Sequence, residues 1–117
     1  MGRPEYNFVM QVDLRRQMEA ELVSAERARQ AGNEGRARVC ARRAAGIAAR
    51  DFLSRHGVRT RSQSAYMALQ MLADFPALPA DLRPAVLHLT THVTEQFTLP
   101  MEADLIAEAR KLVNGLS

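Results

Sequence analysis

Arg83 and His88 stand five residues apart in this chain, and Arg50 and His56 stand six apart. Each pair sets a permanently charged guanidinium near an imidazole that titrates close to neutrality. Arginine can stabilise charge that builds on a phosphoryl oxygen while histidine moves a proton. All the basic residues except Lys111 are arginine, so a spacing of this size also arises by chance in 117 residues. Arg83 and His88, which open a helix, are the catalytic candidates. His88, His92 and Glu95 share one helical face at a spacing a metal could use. No second ligand set completes that site, so neither a metal nor a cofactor is expected.

A second constellation lies between Gly35 and Gly57, where Arg36, Arg38, Arg42, Arg43, Arg50 and Arg55 are set among alanines and only Asp51 opposes them. Small apolar residues recur at 37, 40, 41, 44, 48 and 52, which predicts a helix with an Ala-rich seam that a neighbour can approach closely. Arg42, Arg43 and Arg50 fall on the face away from the seam. They are the candidate ligand-binding residues, suited to phosphate through the planar guanidinium. The competing expectation is that they pair with Glu19, Glu21 or Glu26 of the preceding helix. Cys40 lies on the seam and reads as an inert buried thiol, Asp51 and Arg55 as an i,i+4 ion pair, and Met67 and Met71 as core fillers.

The elements that must position these residues are helices. Aromatic content is 5% with no Trp, so the core has to be built from Leu, Ala, Val and Met, which suits an all-α fold. A first helix is expected over Asn7 to Ala31, with Leu14, Met18, Leu22 and Ala25 as its stripe. Gly32, Asn33 and Gly35 then turn the chain into a second helix over Arg36 to His56, antiparallel to the first. Ser62 or Ser64 caps a short helix over Tyr66 to Asp74, which Pro76 ends. Asp81 is expected to cap a fourth helix that carries Pro84 in its first turn and runs to Phe97. Its stripe is Val86, Leu89, Val93 and Phe97. A closing helix over Met101 to Asn114 starts among Glu102, Asp104 and Glu108, acids that favour the positive end of a helix dipole.

The expected fold is therefore an antiparallel up-and-down bundle of four main helices plus a short additional one, forming a single domain over residues 1–117. The one cysteine excludes an intrachain disulfide, and no run reaches the length of a membrane span, so a cytoplasmic protein without membrane contact is expected. A net charge of +3 is mild for a nucleic-acid binder, and clustering of the arginines rather than their total is the informative feature.

In order and spacing these segments resemble the HEPN domain, a nucleotide-binding helical bundle. The resemblance rests on Ala25, Ala28 and Gly32, then Ala37, Ala41, Ala44, Ala48 and Gly57, followed by SQSAYMALQML, LPADLRP, Leu89 with Thr90, and ADLIAEARKLV. The polar signature differs. Gly46 and Arg50 stand where many members carry Glu and Lys. Gln63 and Ser64 replace a His-Asp pair, and Gln96, Phe97 and Thr98 replace an Arg-Tyr-Pro step. The resemblance implies a non-catalytic module that binds a nucleotide, RNA or a protein partner. It implies a homodimer, working with a minimal nucleotidyltransferase of the toxin-antitoxin kind. The alternative it implies is a toxin-type endoribonuclease in which Arg83 and His88 meet across a dimer cleft. A structural adaptor without ligand is the third reading.

Overall fold

The computed structural model describes residues 4–60, 64–91 and 103–117, with side chains from Val12 onward. Helix α1 spans Pro4–Gln30, α2 Glu34–Arg55, α3 Ala65–Ala73, α4 Arg83–Leu89 and α5 Leu105–Leu116. A 3-10 turn over Ala80–Leu82 leads directly into α4. The fold is all-α, and the described residues contain no strand.

Two glycines set the chain reversals. Gly32 and Gly57 take φ values of 79° and 80°, a left-handed conformation that costs glycine little. At the first, Gly32 N–H donates to Arg29 O (3.0 Å) and Asn33 N–H to Ala28 O (2.8 Å). At the second, Gly57 N–H donates to Ser54 O (3.0 Å) and Val58 N–H to Leu53 O (2.8 Å). Both are Schellman closures, which satisfy the last carbonyls of a helix while turning the chain out of it. Asn33 then caps α2, its side chain accepting from Arg36 N–H at 3.0 Å. With so short a connection, α1 folds back along α2, and Met18, Leu22, Ala25 and Ala28 are buried in the joint.

Helix α2 is the centre of the molecule. Ala37, Cys40, Ala41, Ala44, Ala48 and Phe52 are buried as the periodicity predicts. Ala45, Gly46, Ala49 and Leu53 are buried as well. The apolar surface is thus much wider than a seam, because α1, α3 and α5 all pack against α2. Small residues around most of the helix make such crowding possible. The tightest point is Gly46, where a Cβ would sit 2.6 Å from Ala65 Cβ and 2.7 Å from Ala65 Cα at the start of α3. Position 46 therefore has no room for a side chain.

The second half departs further from expectation. Pro84 does sit in the first turn of α4, but Asp81 lies in the 3-10 turn and is not its cap; the cap position is Leu82, without a side-chain bond. Helix α4 ends at Leu89. Thr90 Oγ1 donates to Val86 O or Leu87 O, both at 3.0 Å, and Thr91 Oγ1 to Leu87 O at 2.8 Å. These hydroxyls serve the final carbonyls and remove the need for another helical turn. The expected continuation through Val93, Gln96 and Phe97 lies outside the described residues. Helix α5 starts at Leu105 instead of Met101 because Asp104 is its N-cap, accepting from Ile106 N–H (3.1 Å) and Ala107 N–H (3.2 Å). Ser64 caps α3 as expected. Met67, expected in the core, is 49% exposed, whereas Met71 packs on the core.

Candidate functional site

The arginines divide by what their guanidinium groups meet. Arg42, on α2, donates from Nε to Leu89 O (2.9 Å) and from Nη2 to Thr91 O (3.0 Å), so it clasps the carbonyl end of α4. Burial, then the nearby charge of Arg38, pushes its pKa below the usual arginine value. Arg55 donates to Leu116 O at the end of α5, and Arg83 to Ala73 O at the end of α3. Each of these three therefore brings a positive charge to the negative end of a helix it does not belong to.

Four more contacts join elements at the surface. Arg29 bridges Glu34 (2.7 Å) and Asp104 (2.9 Å), and Arg110 bridges Glu26 (2.8 Å) and Glu19 (3.8 Å). The Glu34 and Glu26 carboxylates hold the Arg29 and Arg110 pKa values above normal against the effect of burial. At Asp104 burial pushes the carboxyl pKa up. The hydrogen bonds from Arg29 and the Ala107 and Ile106 amides, with the Arg29 charge, outweigh it and leave that pKa below the usual range. The Asp51–Arg55 ion pair forms at 3.1 Å, and Arg55 also lies over the Phe52 ring, 5.8 Å from its centroid.

One open cavity of about 680 Å³ lies between α1, α2 and the start of α3. Arg42, Arg43 and Arg50 all line it, with Val39 and Ile47 between them on α2. Ser64, Ala65 and Tyr66 bring the positive end of α3 to the same space. Helix α1 contributes Gln17, Ala20 and Glu21. The three arginines do converge, but not as equals. Arg42 is part-buried and its guanidinium is engaged with α4. Arg43 is exposed and makes no ion pair or hydrogen bond among the described residues. The alternative pairing with α1 carboxylates is taken up differently: Glu19 and Glu26 pair with Arg110 of α5.

The Arg83 and His88 pair does not form within one chain. Five residues separate the two along α4, which places them on different helix faces. Arg83 reaches back to α3, whereas His88 turns to α5, its Nδ1 3.4 Å from Glu108 Oε1. That approach lacks hydrogen-bond geometry, and the Nδ1 is buried without a hydrogen-bond partner among the described residues. His56, the other histidine of such a pair, has its Nδ1 2.9 Å from Phe52 O and its ring against Phe52 and Phe75. His92 and Glu95 lie outside the described residues, among which no cluster of three metal-ligating side chains occurs. Cys40 is buried. No described helix is long and apolar enough to cross a membrane.

Gln17 and Tyr66 line the cavity without being marked as site residues by the sequence, where Glu21 enters only as an ion-pair partner for the arginines. Gln17 and Glu21 are four apart on the flank of the α1 stripe, and only the closeness of α1 to α2 makes them part of a site. Comparison with known protein families, with curated proteins and with solved structures found no match to this chain.

Proposed function

We propose that this chain is a HEPN-like module, arranged as an up-and-down bundle of four main helices and a short one, that binds a phosphate-bearing ligand without cleaving it. The observation that carries the reading is the convergence of Arg42, Arg43 and Arg50 on one cavity with the positive end of α3. Arg42 shapes the wall while Arg43 and Arg50 meet the ligand, and Tyr66 lines the wall beside them. Attraction of this kind is largely electrostatic, so it weakens steeply with salt. In this reading the protein works in the cytoplasm as a homodimer beside a minimal nucleotidyltransferase, and a 13.0 kDa species alone in sedimentation at micromolar concentration would reject the dimer.

The test is titration of the parent and of an Arg43→Ala, Arg50→Ala variant with nucleotides and short RNA over a range of salt. Binding that falls with salt and is lost in the variant supports the reading; equal affinity of the two proteins removes these arginines from the site. RNA cleavage by the parent, abolished in His88→Ala, would replace it with the ribonuclease reading.

A further inference from the structure

Beyond Val39, toward the turn between α1 and α2, a second opening of about 340 Å³ is lined by Ser24 and Arg27 of α1 and by Arg36 of α2. It continues the arginine cavity along the same side of the joint. The α1 residues lining the two openings include positions 17, 20, 24 and 27, and the α2 residues include 36, 39, 43, 47 and 50, steps of three and four that keep to one face of each helix. The two openings are one groove. Arg36, Arg43 and Arg50 are seven residues apart, so cations recur about every 10.5 Å over about 21 Å of its length. Arg27, Arg36 and Arg43 are exposed, and none of their guanidinium groups has a hydrogen bond or ion pair among the described residues. Arg27 and Arg36 at one end and Arg42, Arg43 and Arg50 at the other meet a single carboxylate among the lining residues, Glu21, one of whose oxygens is buried. Glu19 and Glu26 of α1 are engaged elsewhere, by Arg110 of α5. Between the cations the groove is apolar: Val39, 45% exposed, separates Arg36 from Arg43, and Ile47 separates Arg43 from Arg50.

A single phosphate matches one station of this row and leaves the others uncompensated, whereas a chain of anions matches them all. Resting on the phosphate-binding reading above, we propose that the groove takes a single-stranded nucleic acid laid along α2, with phosphates at Arg27, Arg36, Arg43 and Arg50 and with sugars and bases over Val39 and Ile47. Arg27 and Arg36, which a mononucleotide in the larger cavity leaves unused, become the far end of the site. Alternation of cation and apolar side chain along α2 matches the alternation of phosphate and organic group along such a strand. Inorganic polyphosphate has nothing to place on the aliphatic side chains, and an acidic peptide lacks the phosphates that the reading above requires. RNA and DNA share this backbone, so either can be the source.

The test is equilibrium binding of UMP and of an eight-nucleotide oligouridylate over a range of salt, with an oligothymidylate of the same length, polyphosphate and polyglutamate as further arms. The eight-nucleotide strand is expected to bind the parent about tenfold or more tightly than UMP does, as added charged hydrogen bonds imply. In an Arg27→Ala, Arg36→Ala variant UMP should bind as in the parent, while the strand loses about tenfold. The slope of log affinity against log salt for the strand should become shallower by about 1.4, the value for two phosphate contacts on a single strand. An Arg27→Lys, Arg36→Lys variant keeps both charges and should keep the parent's slope. Tighter binding of the ribose or the deoxyribose strand assigns the source. No gain with length overturns the proposal, as does a loss in the alanine variant that is equal for UMP and the strand. Either result leaves the phosphate reading standing if Arg43→Ala still weakens UMP. Polyphosphate or polyglutamate binding as tightly as the strand overturns the assignment to nucleic acid. Failure of the parent to bind both UMP and the strand overturns both readings.

Discussion

Arg42 and Arg43 are neighbours on α2 and line the same cavity, yet one is tied by two hydrogen bonds to the carbonyl end of α4 and the other has no partner among the described residues. The contrast extends across the molecule. At the helix ends, Arg42, Arg55 and Arg83 are structural, each closing the negative end of another helix. In the cavity, Arg43, with the same intrinsic chemistry, is exposed and engages no described group, which is what the proposed ligand role requires. What separates the two roles is the position of unsatisfied carbonyls after folding.

The structural side of this contrast depends on close packing around α2, and Gly46 is the place to break it. Gly46→Ala gains up to about 1 kcal/mol of helix propensity. The new Cβ would nevertheless lie 2.6 Å from Ala65 Cβ and 2.7 Å from its Cα, and backbone cannot yield as a side chain does. We expect a net loss of about 3 kcal/mol in denaturant unfolding, the upper part of the range for overpacking. Gly115→Ala is the control. There the added atom meets Leu82 Cδ1 and Cδ2 at 2.8 Å and Cγ at 3.3 Å, side-chain atoms that can shift by rotation where backbone cannot, so a loss clearly smaller than at Gly46 is expected. Equal losses at the two sites would show that α3 does not press on α2 at Gly46.

Arg42→Ala removes both donors from the end of α4 and should cost about 1.5–3 kcal/mol, the range for hydrogen bonds made by a charged group. Arg42→Lys keeps the charge but cannot reach both carbonyls as a planar fork does, so it should recover only part of that stability. Full recovery by lysine would reduce the contact to simple charge–dipole attraction.

A smaller effect is expected at Asp104. Asp104→Ala removes the cap of α5 and should cost about 1 kcal/mol. Asp104→Asn keeps a capping oxygen and loses only the exposed pairing with Arg29, so a change of a few tenths of a kcal/mol is expected. The sign with pH follows from the depressed folded-state pKa of Asp104. Its stabilisation is present above the unfolded Asp value of about 3.9 and is lost as pH falls through the lower folded value. The parent should therefore lose more stability than Asp104→Asn on acidification below about pH 4. Parallel acid limbs would remove the ion pair from the account.

The first half of this fold was legible because its signals are local. Leu22, Ala44 and Ala48 are buried on the faces their spacing predicts, and Gly32, Asn33, Gly57 and Ser64 end or cap helices through neighbours within five residues. The limits of α4 and α5 were not legible in the same way. A threonine pair can continue a helix or serve its last carbonyls, and apolar periodicity through Val93 and Phe97 favoured the first choice. Met67 has a composition suited to the core, yet burial depends on which face of a nine-residue helix the others cover. At the cavity the sequence pointed to the three arginines, which share one helix. Gln17 and Tyr66 come from other elements, and no local pattern joins them to the arginines. Nor does any local pattern separate Arg42 from Arg43, since the difference lies in carbonyls of Leu89 and Thr91.

The central claim is that Arg43 serves a ligand while its neighbour serves the fold. The most direct measurement is the affinity of Arg43→Ala for a nucleotide at low salt, taken on samples whose unfolding midpoint is recorded alongside the parent. The account predicts binding weakened by about tenfold or more, as loss of a charged hydrogen bond implies, with stability unchanged within about 0.5 kcal/mol. Parent-like affinity, or a loss of stability as large as that of Arg42→Ala, would contradict it.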